Sequence, residues 1–523
     1  MEAKFINLND QEPESNQNTF DWMQLNDLKN GRYSFGFWNV IIKNSANGQQ
    51  YLQHDGICKE NLFNILHDAG YRKKYDAQKN TQLVKVQDNI LDVVTNNEMR
   101  DYITNLIDTL PSEIEVCGFK LQKAVLSEKF KDEHVRLFAK DSLAVLRNHT
   151  GKLMKDTKTA MLFPFLNGVA KVTKKGVELV PYGEFQNVFI WRSHILQREF
   201  HPTTETSESS SDNTKNAMYA DFIRNVCNKD ADRTHTMRVA IGAALCTHFT
   251  PTRTKAYVCY DEELADRDSS MGGTGKGIWY KALFKLRKGV AINGKAFDAK
   301  DRFALQQIKI DTQIVVFDDI KEDFDPENLN HVITDGLKVE KKNQDILEID
   351  SEDSPTVCII SNKIMKQKKG TTLSRRQFVL EFGNHYSKLL ATTQEPIVYE
   401  HGCEFFTEWD SDEWQRFDNY MIESCRLFLE HGLPVNKTIN VAINLLLQST
   451  CTEFMEWMES KQMVTGENYQ FGKNFDEFKS LHMGENSLFS SNTFVKWLKL
   501  YAETLKLKYK SFRFNDLTYF TFE

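Results

Sequence analysis

A glycine-rich loop that ends in a lysine constrains the fold of this chain more than any other feature. The loop follows an apolar run at 256–260 and precedes a segment with helical spacing at 278–287; it reads Ser269-Ser270-Met271-Gly272-Gly273-Thr274-Gly275-Lys276-Gly277. Glycines let successive backbone N–H groups turn toward an anion, and a helix N-terminus adds partial positive charge. The order of strand, loop and helix therefore predicts a phosphate-binding loop in which Lys276 reaches the β and γ phosphates.

A second pattern downstream strengthens this interpretation. Residues 314–317 form an apolar run that ends in Asp318 and Asp319. The first carboxylate could hold Mg²⁺, and the second could polarise an attacking water. Two acids at a strand end often mark only the point where a strand meets solvent. Paired with the loop at a separation that leaves room for a helix, a strand and a crossover, they indicate one site.

Two further polar groups follow the acidic strand. A third apolar run, 356–360, precedes Asn362, whose amide is placed to orient water at the γ-phosphate, although lone asparagines at strand ends are usually turn formers. Arg375 and Arg376 then precede an apolar strand at 378–382. Either arginine could stabilise transition-state charge in its own or a neighbouring subunit, or could belong to a solvated basic turn.

The segment from about 256 to 382 resembles a superfamily 3 helicase, the viral and plasmid replicative class of the AAA+ ATPases. It is most like the phage and poxvirus-type primase-helicase proteins. Four elements match in order and spacing: the loop, the acidic strand, a basic hairpin and Asn362. The hairpin runs from 333 to 349, and by its position the resemblance implies that Lys341 and Lys342 grip nucleic acid in the pore of a ring. Otherwise they are solvated charges at a hairpin tip.

The resemblance also implies a mechanism. ATP would bind between the subunits of a homo-hexamer, with Lys276, Asp318, Asp319 and Asn362 from one subunit and Arg375 or Arg376 from the next. Hydrolysis would drive the hairpins along single-stranded or forked DNA, with 3′→5′ travel. A separate polypeptide would supply the primase or polymerase, because no convincing primase residues occur in the first two hundred positions.

One position departs from the family pattern. The residue after the loop lysine is usually Ser or Thr, whose hydroxyl ligates Mg²⁺, but here it is Gly277. Either water fills that position, or metal binding is weaker, or hydrolysis is lost. We expect an active ATPase, since Asp318 remains and Mg²⁺ readily keeps several waters.

Composition limits the alternatives. The charged and hydrophobic shares, 27% and 41%, are ordinary for a globular protein, and no apolar run is long enough to cross a membrane. The nine cysteines include no C-x-x-C pair, which favours a cytoplasmic setting, in the host cell if the protein is viral, without a zinc ribbon or disulfide framework. A net charge of −7 argues against a protein that coats nucleic acid with its whole surface, but it permits a ring with a basic channel.

The predicted fold class is α/β. An AAA+ P-loop ATPase core with a parallel sheet and helices is preceded by an α+β region and followed by a helical, winged-helix-like region. The expected divisions are a polar tail at 1–20, an α+β domain at 21–202, a Ser/Thr-rich linker at 203–216, a ring-forming helical segment at 217–250, the ATPase domain at 251–395 and the C-terminal domain at 396–523.

Two other classes of protein stay open. One is a nucleotide-binding origin initiator or scaffold that does not hydrolyse ATP efficiently, which Gly277 favours. The other is a P-loop enzyme such as a small-molecule kinase, against which the basic hairpin argues. DNA-stimulated release of phosphate would distinguish them.

Overall fold

The computed structural model describes most of the chain. The predicted polar tail at 1–20 and nearly all of the Ser/Thr-rich linker lie outside the described residues, which are 25–28, 32–116, 118–203, 217–249, 255–263, 273–321, 324, 329, 335–342, 346–362, 364–365, 376–435, 438, 440–483 and 488–523.

The N-terminal region is α+β, as predicted. A four-stranded antiparallel sheet comes first, in the order β1-β2-β3-β4: Leu25–Leu28 (β1), Arg32–Phe35 (β2), Trp38–Asn44 (β3) and Gln50–Ile57 (β4). Four helices pack with it around a core of their own: Lys59–Asp68 (α1), Asn96–Asp108 (α2), Lys123–Leu137 (α3) and Lys140–Leu143 (α4). Helix α2 begins with a capping box in which Thr95 and Glu98 satisfy each other's backbone N–H groups.

Three more sheets complete this region. The first is a mixed five-stranded sheet with the order β10-β14-β7-β6-β5. The second is the pair of strands β8 and β9, and the third is a three-stranded sheet with the order β11-β12-β13. Their bounds are Tyr71–Tyr75 (β5), Thr81–Gln87 (β6), Ile90–Val93 (β7), Glu113–Val116 (β8), Phe119–Gln122 (β9), Lys152–Leu153 (β10), Ala160–Phe165 (β11), Gly168–Thr173 (β12), Gly176–Val180 (β13) and Val188–Trp191 (β14).

A parallel sheet forms the centre of the chain. Its order is β16-β17-β20-β15-β21, and its strands are Ala256–Asp261 (β15), Gly289–Asn293 (β16), Ile314–Asp318 (β17), Thr356–Ile360 (β20) and Gln377–Phe382 (β21). Four of them, β15, β17, β20 and β21, match apolar runs in the sequence, because strands that are covered on both faces must be apolar almost throughout. The fifth, β16, lies at one edge of the sheet and is partly exposed. The predicted α/β class with a parallel sheet is confirmed.

Different elements cover the two faces of this sheet. Alternate residues such as Tyr257 and Cys259 join a core with the helices Met218–Val226 (α5), Ala231–Leu245 (α6), Lys276–Phe284 (α7) and Ser411–His431 (α10). The intervening residues, such as Val258, join a second core with the hairpin strands Leu337–Val339 (β18) and Leu347–Ile349 (β19). The sheet is thus the middle layer of three.

Helices α6 and α10 approach closely at a glycine. A Cβ added to Gly242 would lie 2.2 Å from the carbonyl oxygen of Ser424, so no other residue fits there without moving the backbone. Both helices match periodic segments of the sequence, and two short helices precede α10, His385–Leu389 (α8) and Pro396–His401 (α9).

The helix Val441–Ser449 (α11) leads to the end of the chain, and its Val441 and Leu445 pack in the second core of the sheet. The chain ends in a small domain with a separate core. Its elements are Thr452–Lys461 (α12), Tyr469–Gln470 (β22), Phe471–Phe478 (α13), Ser491–Thr504 (α14), Tyr509–Phe514 (β23) and Leu517–Phe522 (β24). The predicted helix followed by an extended ribbon is therefore present. None of the helices in the described part of the chain has the length and apolar character needed to cross a bilayer.

Candidate functional site

The topology puts a crevice at the carboxyl edge of the parallel sheet between β15 and β20. Helix α7, which follows β15, packs on one face, whereas Ile364 and Met365, which follow β20, pack on the other face. Neighbouring strands whose connections leave on opposite faces create such a crevice, and it is the usual ligand site of open α/β sheets. The described end of the glycine loop lies there, because Thr274 bonds to Asp261 at the end of β15.

The described part of the loop, 273–277, has backbone conformations that require glycine. Gly273 and Gly275 have φ angles of 92° and 101°, in the left-handed region. A Cβ on Gly275 would also lie 2.7 Å from the ring of Phe222, on α5. Gly275 caps the N-terminus of α7, whose first N–H groups have no partner within the helix and point toward the loop. Gly272 lies outside the described residues.

Lys276 is buried at the first position of α7. Its ammonium group forms an ion pair with Asp261, the last residue of β15, and lies 3.2 Å from the hydroxyl of Thr274. That hydroxyl donates to Asp261 at 2.6 Å. The loop lysine, the loop threonine and a strand-end carboxylate thus form one buried polar cluster in this structure.

The acidic strand end lies beside the helix that follows the loop. The phenol of Tyr280, one turn into α7, donates to Asp318 Oδ2 at 2.9 Å. Burial and this hydrogen bond raise the pKa of Tyr280 to about 12. Asp319 has a left-handed φ of 56°, and its carboxylate lies 2.5 Å from the ammonium of Lys295. A positive φ is uncommon for a residue with a side chain, and such conformations concentrate at functional sites.

Asn362 lies at the same edge. Cys259 pairs with Ile360 in the register of β15 and β20, so Asn362 stands level with Asp261 across the crevice. The residue before it, Ser361, is buried, and its N–H donates to the Cys259 carbonyl at 3.1 Å. Three polar strand ends, from β15, β20 and β17, therefore meet at one edge of the sheet.

The structure does not bring Arg376 into this cluster. Arg376 directly precedes β21, and Gln377 pairs with Ala256, so this arginine lies at the amino edge of the sheet. A six-residue strand is roughly 20 Å long, which separates it from the crevice of the same chain. Arg375 lies outside the described residues.

The basic hairpin is present and packs on the sheet face opposite α7. Its strands β18 and β19 are antiparallel, with Val339 opposite Leu347. The two predicted contact residues differ: Lys341 is half-buried, and burial together with nearby Lys309 lowers its pKa, whereas Lys342 is exposed.

The hairpin also contacts the N-terminal region. The N–H of Glu348, on β19, donates to the Asp76 carboxylate at 2.9 Å, and the N–H of Ala77 donates to the Glu348 carbonyl at 3.3 Å. Asp76 and Ala77 belong to the turn that joins β5 to β6. The returning strand is therefore anchored to a different part of the chain.

Sequence reasoning missed Asp261, Tyr280 and Lys295, which contact the three predicted residues Lys276, Asp318 and Asp319. Asp261 carries a signal, since it directly follows an apolar run, but the long gap before the loop obscures it. Among the described residues, no group of three or more His, Cys, Asp or Glu side chains is arranged to hold a metal ion. Any cation at Asp318 would therefore need most of its ligands from elsewhere.

Comparisons with known proteins add little about activity. A family of unknown function (DUF5906) matches residues 269–376, which include the glycine loop, the acidic strand and the hairpin. No curated protein matches the chain. One similar solved structure is the A-form apo structure of the NrS-1 C-terminal region, with 12% identity and a TM-score of 0.37 over 88% of this chain and 99% of that one. A TM-score this low says nothing about function, which rests on the residues.

Proposed function

We propose that the chain is an ATP-hydrolysing DNA helicase of the superfamily 3 type, which works in DNA replication in a phage or mobile element. The observation that carries the proposal is the meeting of a glycine loop, a buried lysine, an acidic strand end and Asn362 in one crevice. A basic hairpin lies on the opposite sheet face from the helix that follows the loop. These are the parts that ATP-driven movement along a polynucleotide requires.

Lys276 would change partner when the nucleotide binds. Buried charges are stable only when they are paired, and Asp261 supplies the pair in this structure. The triphosphate would take over the ammonium, while the N–H groups at the start of α7 cradle its oxygens. Asp319 would then orient the attacking water, with the Asn362 amide on the other side of the crevice.

Asp318 is the residue that would hold Mg²⁺. Its carboxylate has one oxygen bonded to Tyr280, which leaves the other for a ligand. Mg²⁺ in nucleotide sites commonly uses one or two carboxylates together with phosphates and waters, so a single acid fits this ion despite Gly277. When bound, the ion would neutralise phosphate charge. The role of the protein would be to hold the Asp318 carboxylate in place through its hydrogen bond with Tyr280.

We expect Tyr280→Phe to raise the half-saturating Mg²⁺ concentration for ATP hydrolysis by about tenfold. The phenol fixes the Asp318 carboxylate, and loss of such an orienting partner commonly costs about 10–100-fold in metal affinity. The half-saturating concentration is measured by following the rate of ATP hydrolysis as Mg²⁺ is added. Tyr399→Phe, at an exposed tyrosine, should match the wild type. An unchanged titration in Tyr280→Phe would show that the hydrogen bond has no role in metal binding.

The position of Arg376 restricts any role that it has in catalysis. Its side chain begins at the amino edge of the sheet, away from the crevice of its own chain. It would therefore act in catalysis only at the site of another subunit, as in the homo-hexameric ring that the family resemblance implies. Such an arginine is worth about 10³–10⁵ in rate.

We expect Lys342→Ala to spare basal ATP hydrolysis and to end unwinding. Lys342 is exposed and lies on the hairpin, so its loss removes a phosphate contact without touching the crevice. Displacement of a labelled strand from a forked duplex, measured beside phosphate release, tests this. Lys338→Ala is the matched control, since Lys338 faces Glu348 within the hairpin at 3.2 Å. Loss of basal hydrolysis in an assembled Lys342→Ala protein would refute the assignment of DNA contact to the hairpin and of hydrolysis to the crevice.

One observation favours a second candidate, a nucleotide-binding initiator or scaffold without efficient hydrolysis. Gly277 provides no hydroxyl next to the loop lysine. Phosphate release with and without single-stranded DNA decides between the two: the helicase requires turnover that DNA stimulates, and the scaffold requires nucleotide binding without turnover.

A further inference from the structure

The C-terminal ribbon, formed by β23 and β24, has an unusual outer face. Side chains alternate along its strands, and Phe520 and Phe522 are buried against the domain core. The other side carries Phe512, Phe514 and Leu517, which are 42%, 61% and 43% exposed. The solvent face of an antiparallel ribbon is normally polar, so these apolar groups need another explanation.

Two of the outer rings form a flat platform. Phe512 and Tyr519 are directly opposite each other in the register, with ring centroids 5.9 Å apart and planes within 17°. Cross-strand aromatic pairs do stabilise hairpins, which accounts for part of this arrangement. It does not account for Phe514, the most exposed of the three, which stacks on no other aromatic ring among the described residues.

Two lysines extend the outer face next to this platform. Residues 491–523 contain six Lys or Arg and three Asp or Glu, although the whole chain has a net charge of −7. Lys508 and Lys510 share the outer side with Phe512 by strand alternation, whereas Arg513, which pairs with Thr518, is on the side of Phe520. Lys510 lies 2.5 Å from Glu523, and Lys508 forms no ion pair with any residue that the structure describes.

We propose that the C-terminal ribbon is a second nucleic-acid site, which binds a single strand. Bases would stack on the Phe512–Tyr519 pair and on Phe514, while Lys508 and Lys510 on the same side would contact the phosphates. Aromatic platforms flanked by cations bind single strands because every unpaired base exposes a π face. A duplex keeps its bases stacked on one another and offers the rings nothing, and the two lysines on the outer side favour a polyanionic strand over a protein partner.

This site goes beyond the proposed function, because it requires neither ATP nor the hairpin. The full-length chain is therefore tested without nucleotide, by fluorescence anisotropy with a labelled oligodeoxythymidine. We expect the Phe512→Ala/Phe514→Ala variant to bind about 10–100-fold more weakly, since each stacked base contributes about 1–3 kcal/mol. The matched control is Val464→Ala/Leu481→Ala, which removes two other exposed apolar side chains from the same domain and should bind as the wild type does.

Two further measurements separate stacking from charge. Lys508→Ala/Lys510→Ala should make the dependence of log K on log salt shallower by about 0.7 per lost phosphate contact. Oligonucleotides containing bromodeoxyuridine should crosslink on irradiation to peptides within 509–519. Unchanged affinity in a folded Phe512→Ala/Phe514→Ala protein, or crosslinks only elsewhere, would overturn the proposal, as would equal losses for single-stranded and duplex probes.

The test of the ribbon site does not depend on whether the chain hydrolyses ATP. If phosphate release is absent while the ribbon variants lose oligonucleotide affinity, the helicase proposal fails and the ribbon site stands. If hydrolysis and unwinding are present while the ribbon variants bind normally, only the ribbon site fails.

Discussion

Lys276→Ala should abolish ATP hydrolysis, with a loss of at least about 100-fold in turnover. Removing one charged group that stabilises transition-state charge typically costs 10²–10³ in rate, and Lys276 is the cation at the start of α7. Phosphate release measures the effect. The matched control is Lys281→Ala, on the same helix but exposed, which should retain wild-type turnover.

The fold of this variant needs its own check, because Lys276 is also the buried partner of Asp261. Leaving that carboxylate unpaired should lower the melting temperature. Lys276→Ala/Asp261→Asn removes the unpaired charge, so it should recover stability but not hydrolysis. Recovery of hydrolysis together with stability would show that Lys276 has a structural role only.

Arg287→Ala should cost about 3–5 kcal/mol of unfolding free energy, the loss typical of breaking a buried ion pair. The guanidinium donates to Asp156 at 2.7 Å and to the carbonyls of Leu162 and Leu245, and it lies 4.0 Å from the ring centroid of Phe163. It therefore joins the N-terminal region, α6 and the segment after α7.

A shift in melting temperature of roughly 3–5 °C would correspond to this loss, since a chain of 523 residues that unfolds together loses about 1 °C per kcal/mol. Arg426→Ala provides the comparison, because Arg426 pairs with Glu423 and Glu430 on the surface of α10, where ion pairs contribute about 0–1 kcal/mol. Similar melting temperatures for the two variants would show that the buried pair contributes no more than a surface pair.

Local elements of the fold could be predicted because their signals are local. Four of the five central strands are apolar runs, and α10 follows the spacing of Trp414, Phe417 and Met421. The order of the strands could not be predicted, because it depends on which edge each crossover reaches. That order places Asn362 beside Asp261. Arg376 lies at the amino edge for a local reason, since it directly precedes β21 in a parallel sheet.

The residues of the candidate site also fall into those that the sequence could predict and those that it could not. The loop glycines and the two strand-end acids have sequence signals, because turn geometry and strand ends restrict residue type. Partners that meet only through tertiary packing have none: nothing in the sequence relates Tyr280 to Asp318 or indicates that Lys341 is half-buried and Lys342 exposed.

The anchoring of Glu348 to the turn at Asp76 and Ala77 restricts how the hairpin could travel. A stroke that moves β19 away from the sheet must either break both hydrogen bonds in every cycle or swing the β5–β6 turn with it. In the second case the N-terminal region must move with the hairpin, so viscous drag and the contacts of that region oppose each step. If the chain has the proposed helicase activity, a partner that holds the N-terminal region still would slow translocation without contacting the nucleotide.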